Sequence, residues 1–295
     1  MRPTRYGPAS IAIAVCMAAA ACGPAASSTA PPGSATPVPA TAPATAPAMA
    51  TAPATPGSAS PRAGALTIAA LGDSLTAGEC DDSGLGGYPG RLQTRVESVR
   101  PGTRIVNLGH SGWATADLIN GLNGDPSPVA QAVAMHPQAA LVWIGSNDLW
   151  YLYEYGPDPM TPDAEAADLT AYAAGIDTIA GRLTSAGATV FLALLDDQSK
   201  RPFVARPNPT EPAFPATTHS DLALMSVHIA AYNDILRRTA ARYGGGVVDF
   251  SATTIFTDKA TLCDDGNHPN AAGYDRIADI WLAALKARLA LAAAP

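Results

Sequence analysis

Ser74 in Gly72-Asp73-Ser74-Leu75, and Asp265 with His268 in Asp265-Gly266-Asn267-His268-Pro269, are the residues of this chain best suited to chemistry. A serine hydroxyl is a weak nucleophile at neutral pH. It needs an imidazole to take its proton and a carboxylate to hold that imidazole in the right tautomer. Asp265 lies three residues before His268, so a single turn can present both, in the chain order Ser, Asp, His. The chemistry within reach is attack on an acyl carbonyl. The plain alternative is a helix-capping Asp265 beside a solvated His268.

Such residues need elements that bring them together. Ser74 directly follows the apolar run Leu66 to Leu71, the first of several short β-rich runs that alternate with longer helical patterns. The further strands predicted are Arg104 to Leu108, Ala139 to Ile144, Ala188 to Leu194 and Val247 to Phe250. Leu169, Tyr172, Ile176, Ile179 and Leu183 recur at helical spacing, as do Leu222, Met225, Ile229, Tyr232 and Leu236, and finally Ile277, Trp281, Leu285 and Leu289. Alternation of this kind predicts an α/β fold: a three-layer α/β/α sandwich on a five-stranded parallel sheet. In such sheets ligands bind beyond the carboxyl ends of the strands, where strand order reverses. With the order 2-1-3-4-5, strand 1 sits between strands 2 and 3. Ser74, Asn107-Leu108-Gly109 and Gly145-Ser146-Asn147-Asp148 then converge.

The four segments Gly72-Asp73-Ser74-Leu75, Asn107-Leu108-Gly109-His110-Ser111-Gly112, Gly145-Ser146-Asn147-Asp148 and Asp265-Gly266-Asn267-His268 resemble, in order and spacing, the blocks of the GDSL or SGNH hydrolases. The resemblance spans about two hundred residues. It implies an SGNH fold with the flavodoxin-like order 2-1-3-4-5, and a serine esterase needing neither cofactor nor metal. Ser74 would be the nucleophile, His268 its base and Asp265 the residue orienting that base. The oxyanion formed on attack would be held by the backbone N–H groups of Ser74 and Gly109 and by the side-chain amide of Asn147. A glycine suits the middle position because backbone must approach the charge closely.

Other residues receive plainer readings. Gly109-His110-Ser111-Gly112-Trp113 is close to a G-x-S-x-G elbow, but its last position is Trp113, so Ser111 is read as structural. Asp73 adjoins the nucleophile and is expected to bond backbone and fix the turn. His110 could contact substrate, whereas His136, His219 and His228 are read as surface or packing residues. Leu149-Trp150-Tyr151-Leu152-Tyr153-Glu154-Tyr155 could stack on a sugar, line an acyl slot, or simply pack a helix. The proline-rich run from Asp196 to Ser220 is long enough for a lid or binding loop. Gly84, Gly86 and Gly87 suggest a flexible rim.

The chain's first part carries no such chemistry. Arg2 and Arg5 precede about thirteen small or apolar residues, Ala9 to Ala21, the pattern of an export signal. Ala19-Ala20-Ala21-Cys22-Gly23 resembles a bacterial lipobox, which makes Cys22 a lipidation site; cleavage at an Ala-x-Ala site is the alternative. Residues 1–22 are thus read as a signal, 23–64 as a disordered Pro, Ala, Thr and Ser tether, and 65–295 as the hydrolase domain. With Cys16 and Cys22 set aside, Cys80 and Cys263 remain. An exported compartment permits them to pair, and a bridge would join the loops carrying Ser74 and His268. Two unpaired thiols are the alternative.

A 295-residue chain with 47% hydrophobic residues can bury a sizeable core. Lys and Arg number 18 against 25 Asp and Glu, a net charge of −7 without a basic cluster, which argues against nucleic acid as a partner. The expectation is a monomeric, extracytoplasmic esterase anchored to a membrane through Cys22. Its substrates would be short-chain acyl esters, including acetylated carbohydrate; lipid or lysophospholipid esters are the alternative. A glycan-binding lipoprotein on the same fold, without catalysis, is the rival of another kind.

Overall fold

The computed structural model describes residues 64–205, 219–289 and 291. The expected signal, Cys22 and all of the tether but Gly64 lie outside these residues. Five strands form one all-parallel sheet: β1 (Thr67–Gly72), β2 (Arg104–Gly109), β3 (Ala139–Trp143), β4 (Thr189–Leu194) and β5 (Gly246–Asp249). Their order is β2-β1-β3-β4-β5, the order the family resemblance implied. All five residues of Ala139-Ala140-Leu141-Val142-Trp143 in β3 are buried, whereas the edge strands β2 and β5 are partly exposed. A central strand covered on both faces has no use for polar alternation, and its sequence is a continuous apolar run.

Eight helices surround the sheet among the described residues: α1 (Ser74–Ala77), α2 (Gly87–Val99), α3 (Thr115–Asn120), α4 (Pro128–Ala134), α5 (Ser146–Tyr155), α6 (Pro162–Ser185), α7 (His219–Arg242) and α8 (Ala271–Leu289). α6 begins where its sequence dictates. Thr161 accepts a hydrogen bond from the Ala164 N–H, Pro162 occupies the first turn where no donor is needed, and Asp163 and Glu165 complement the helix dipole. α2 and α8 pack against each other. Between them Tyr88 stacks on Trp281 at 5.7 Å, and Trp143 of β3 stacks on Phe250 at 4.1 Å. α6 and α7 form the other pairing, with Tyr172 stacked on Tyr232 at 3.7 Å. These rings are almost wholly buried, and each contributes on the order of 1.5–3 kcal/mol by leaving water.

For the site, the relevant consequence is register. Gly72 at the end of β1 lies level with Gly109 of β2 and Trp143 of β3. The segments that follow these three strands therefore leave the sheet side by side.

Candidate active site

The turn out of β1 is fixed by Asp73. Its side chain is fully buried, and one oxygen accepts from the Leu75 N–H at 3.0 Å, capping α1. Burial pushes this carboxyl up to about 6, against the opposing pull of the Leu75 N–H and of the charges on Arg201 and His268. The cap leaves Ser74 at the first position of α1, half-buried, with its hydroxyl directed at His268.

His268 and Asp265 reach Ser74 from the long loop between β5 and α8. His268 Nδ1 is 2.5 Å from Asp265 Oδ2, and Nε2 is 3.0 Å from Ser74 Oγ. Asp265 Oδ1 accepts from the backbone N–H groups of Asn267 at 2.7 Å and His268 at 2.9 Å. Burial works to raise the Asp265 carboxyl, but the bonds from the His268 ring and from the Asn267 and His268 N–H groups outweigh it and hold it at about 2. An ionised carboxylate can only accept, so the proton of the ring sits on Nδ1 and the Nε2 lone pair faces the Ser74 hydroxyl. Asp265 thus both closes its own turn and orients the ring, and it caps no helix, since α8 begins only at Ala271.

A cavity of about 220 Å³ opens over this line, and Ser74, His268, Gly112 and Asn147 all border it. Gly109 does not stand where the sequence reading put it. Its N–H donates to Asn107 Oδ1 at 2.9 Å, and a Cβ there would fall 2.3 Å from the Ala77 nitrogen. Gly109 is small because α1 lies directly on the end of β2, and its N–H is already engaged. The glycine at the cavity is Gly112, three residues on, in a turn with φ +78° that a side chain would strain. No acceptor for its N–H is found among the described residues. The Asn147 amide donates one hydrogen to the Trp113 carbonyl at 2.9 Å, and its second hydrogen remains for a ligand. Ser74 N–H, at the unsatisfied start of α1, completes a set of donors around the cavity.

The remaining histidines lie elsewhere. His110 is stacked on Trp113 at 4.0 Å. His228 is buried and bonded to Asp168 at 2.8 Å, as a packing residue would be. His136 is exposed, and His219 opens α7. The aromatic segment after Asn147 forms α5, which packs as a helix and brings one ring to the cavity. Leu149, Trp150 and Tyr153 are buried in the core, and Trp150 also borders the cavity. Tyr151 donates to the Gly112 carbonyl at 2.5 Å, while Tyr155 is 76% exposed.

The sequence offered no signal for Arg201. It is buried, paired with both oxygens of Asp196 at 2.9 and 2.6 Å, and donates to Asn267 Oδ1 at 2.8 Å. Its guanidinium lies 4.4 Å from the Phe256 ring centroid and borders the cavity. It ties the segment after β4 to the loop that carries Asp265 and His268. Nothing in the spacing of that proline-rich run marks residue 201, and residues 206–218 of the run lie outside those described.

Cys80 and Cys263 form a disulfide with Cα atoms 6.4 Å apart, so the segments following Ser74 and preceding His268 are covalently joined. One end of the glycine-rich rim beside it is tied down, at Gly87. Asp81 accepts from Arg91 at 2.5 and 3.0 Å and from the Gly87 N–H at 2.8 Å. Burial raises the Asp81 carboxyl, yet Arg91, Ser83 and the Gly87 N–H draw it well below the carboxylate range.

Residues 70–276 match the GDSL-like Lipase/Acylhydrolase family. A "Multidomain esterase" of Ruminococcus flavefaciens is 23% identical over 250 residues, which cover 76% of this chain and 29% of that protein. The chain therefore spans under a third of that curated relative. Among solved structures, Axe2, an acetylxylan esterase from Geobacillus stearothermophilus, superposes with a TM-score of 0.53 at 21% identity, covering 76% of this chain and 96% of Axe2. LAE5, an alpha/beta hydrolase enzyme from the metagenome of Lake Arreo, gives 0.51 at 23% identity, covering 75% and 95%.

Proposed function

The chain belongs to the GDSL-like lipase/acylhydrolase family, and on that basis we propose that it is a serine carboxylic-ester hydrolase acting through Ser74, His268 and Asp265. The observation that carries this reading is the unbroken line from Asp265 Oδ2 through the imidazole to Ser74 Oγ. Ser74 Oγ adds to the ester carbonyl while His268 Nε2 takes its proton. The tetrahedral intermediate then expels the alcohol, which receives that proton, and leaves an acyl-enzyme. Water, deprotonated by His268 in turn, adds to the acyl carbon and releases the acid. The negative oxygen of each intermediate is held by the N–H groups of Ser74 and Gly112 and by the Asn147 amide. Each such donor is worth about 2.7–4 kcal/mol of barrier.

The cavity favours a short acyl group. Its 220 Å³ falls below the roughly 300–1,000 Å³ usual for ligand pockets, and Leu75 and Trp150 are the large apolar residues of its lining. A long acyl chain needs both more room and an apolar wall. Acetyl esters, among them acetylated carbohydrates of the kind named for Axe2, fit these dimensions better than lipid esters. The N-terminal pattern supports export and attachment to a membrane through Cys22. The protein is expected to hydrolyse p-nitrophenyl acetate, with rates falling beyond butyryl esters, and Ser74→Ala to abolish turnover. Activity persisting in that variant rejects the nucleophile. Cys22→Ala is expected to move the protein from the detergent to the aqueous phase of a phase-separation assay; unchanged partition rejects the anchor.

A further inference from the structure

We propose that Glu79 and Ser111 form the alcohol-side subsite of this centre and select esters of polyhydroxylated alcohols, that is, of sugars; this rests on the esterase reading above. Ser111 Oγ donates to Glu79 Oε2. Both residues border the cavity that contains Ser74 and His268. They come from different segments, Ser111 after β2 and Glu79 after α1, and meet only at the mouth of the site.

Glu79 is held in place by its backbone. Its N–H donates to the Ser74 carbonyl at 3.0 Å, its carbonyl accepts from Tyr274 Oη at 2.7 Å, and the next residue is tied to Cys263. The Glu79 backbone is thus fixed by a link running directly from the nucleophile, and its exposed carboxylate is oriented by the bond from Ser111. A carboxylate has about four acceptor positions, and Ser111 occupies one. The others suit hydroxyl donors, with the Ser111 oxygen beside them as an acceptor. Neighbouring hydroxyls on a sugar ring supply both kinds of group in one plane.

Charge narrows the class further. An anionic alcohol such as a phosphorylated glycerol would meet a like charge at Glu79. A cationic alcohol would be attracted to Glu79, because the Arg201 guanidinium that borders the same cavity is already paired with Asp196, and the acetylcholine comparison below separates it from a polyol. A neutral polyol meets no such repulsion and also uses the Ser111 oxygen as an acceptor. Losing a charge-assisted hydrogen bond to a bound hydroxyl lowers affinity by roughly tenfold or more.

The test compares kcat/KM for an acetylated xylo-oligosaccharide, p-nitrophenyl acetate and acetylcholine in the intact protein and in Glu79→Gln, Glu79→Ala and Ser111→Ala. The ratio of the sugar ester to p-nitrophenyl acetate is expected to fall at least tenfold in Glu79→Ala, and severalfold in Glu79→Gln and Ser111→Ala. Sugar and p-nitrophenyl esters responding equally in all variants overturns the subsite and leaves the esterase standing. A preference for acetylcholine that disappears in Glu79→Gln overturns the choice of a neutral polyol. Failure of the intact protein to cut any ester overturns both readings.

Discussion

Replacing Asp265 by Asn would keep the shape of the turn but put an amide donor where the His268 Nδ1–H now points. The ring would then favour the tautomer that cannot accept from Ser74. Turnover of p-nitrophenyl acetate is expected to fall about 10⁴-fold, the loss typical when a triad carboxylate is changed this way. A loss below tenfold in stopped assays counts against Asp265 as the orienting group. The same carboxylate also ties stability to pH. Its folded pKa of about 2 lies below the ordinary 3.8, so its contribution to stability is complete above about pH 4 and disappears as the pH falls towards 2. Glu79, Ser111 and Arg201 are legible only once their neighbours are known, because no spacing in the chain links a residue after β4, or one after α1, to His268.

Two elements depend on close contact near the site. α1 lies on the end of β2 so tightly that a Cβ at residue 109 would meet the Ala77 nitrogen at 2.3 Å. Gly109→Ala is expected to cost about 1–3 kcal/mol of stability by overpacking, measured as a lowered urea midpoint. An unchanged midpoint would show that α1 can shift away freely. The loops after α1 and before α8 are joined by the Cys80–Cys263 bridge across 183 residues of sequence. In the chain-entropy model a loop of that length contributes about 5 kcal/mol, so Cys80→Ser with Cys263→Ser is expected to lower Tm by about 10–20 °C. Alkylation of the unreduced protein should leave Cys80 and Cys263 unlabelled when peptides are mapped by mass. Label on both would refute the bridge.

The whole domain is built around a charge it buries. Asp73 is fully enclosed with its carboxyl raised from 3.8 to about 6. Between those values the native state keeps a proton that the unfolded chain has lost, so this group's contribution makes stability fall as pH rises through the interval and stay level above it. Asp73→Asn keeps an oxygen to accept from the Leu75 N–H. The urea midpoint of this variant is expected to gain on that of the parent protein from about pH 4 to about pH 6, then run parallel. A difference independent of pH over that range would place the Asp73 charge in contact with water. Among the described residues no helix is long and apolar enough to cross a membrane.

Periodicity and strand-end signals were enough to place all five strands, the three long helices and the segments that leave β1, β2 and β3 side by side, while the meeting of Ser74 with Asp265 and His268 was implied by the family resemblance. Those placements follow from short-range rules: a covered parallel strand is a continuous apolar run, a helix repeats every 3.6 residues, and the strand order fixes which ends meet. The choice between Gly109 and Gly112 was not open to such rules. Both are glycines beside the same turn, and they are told apart by which N–H is already bonded and which face of the turn meets the cavity. The same holds for Arg201, Glu79 and Ser111, whose roles come from contacts across 66 and 32 residues of sequence. Local pattern records what a residue does within its own element. What it does for the site depends on distances between elements, and these exist only once the sheet has brought them together.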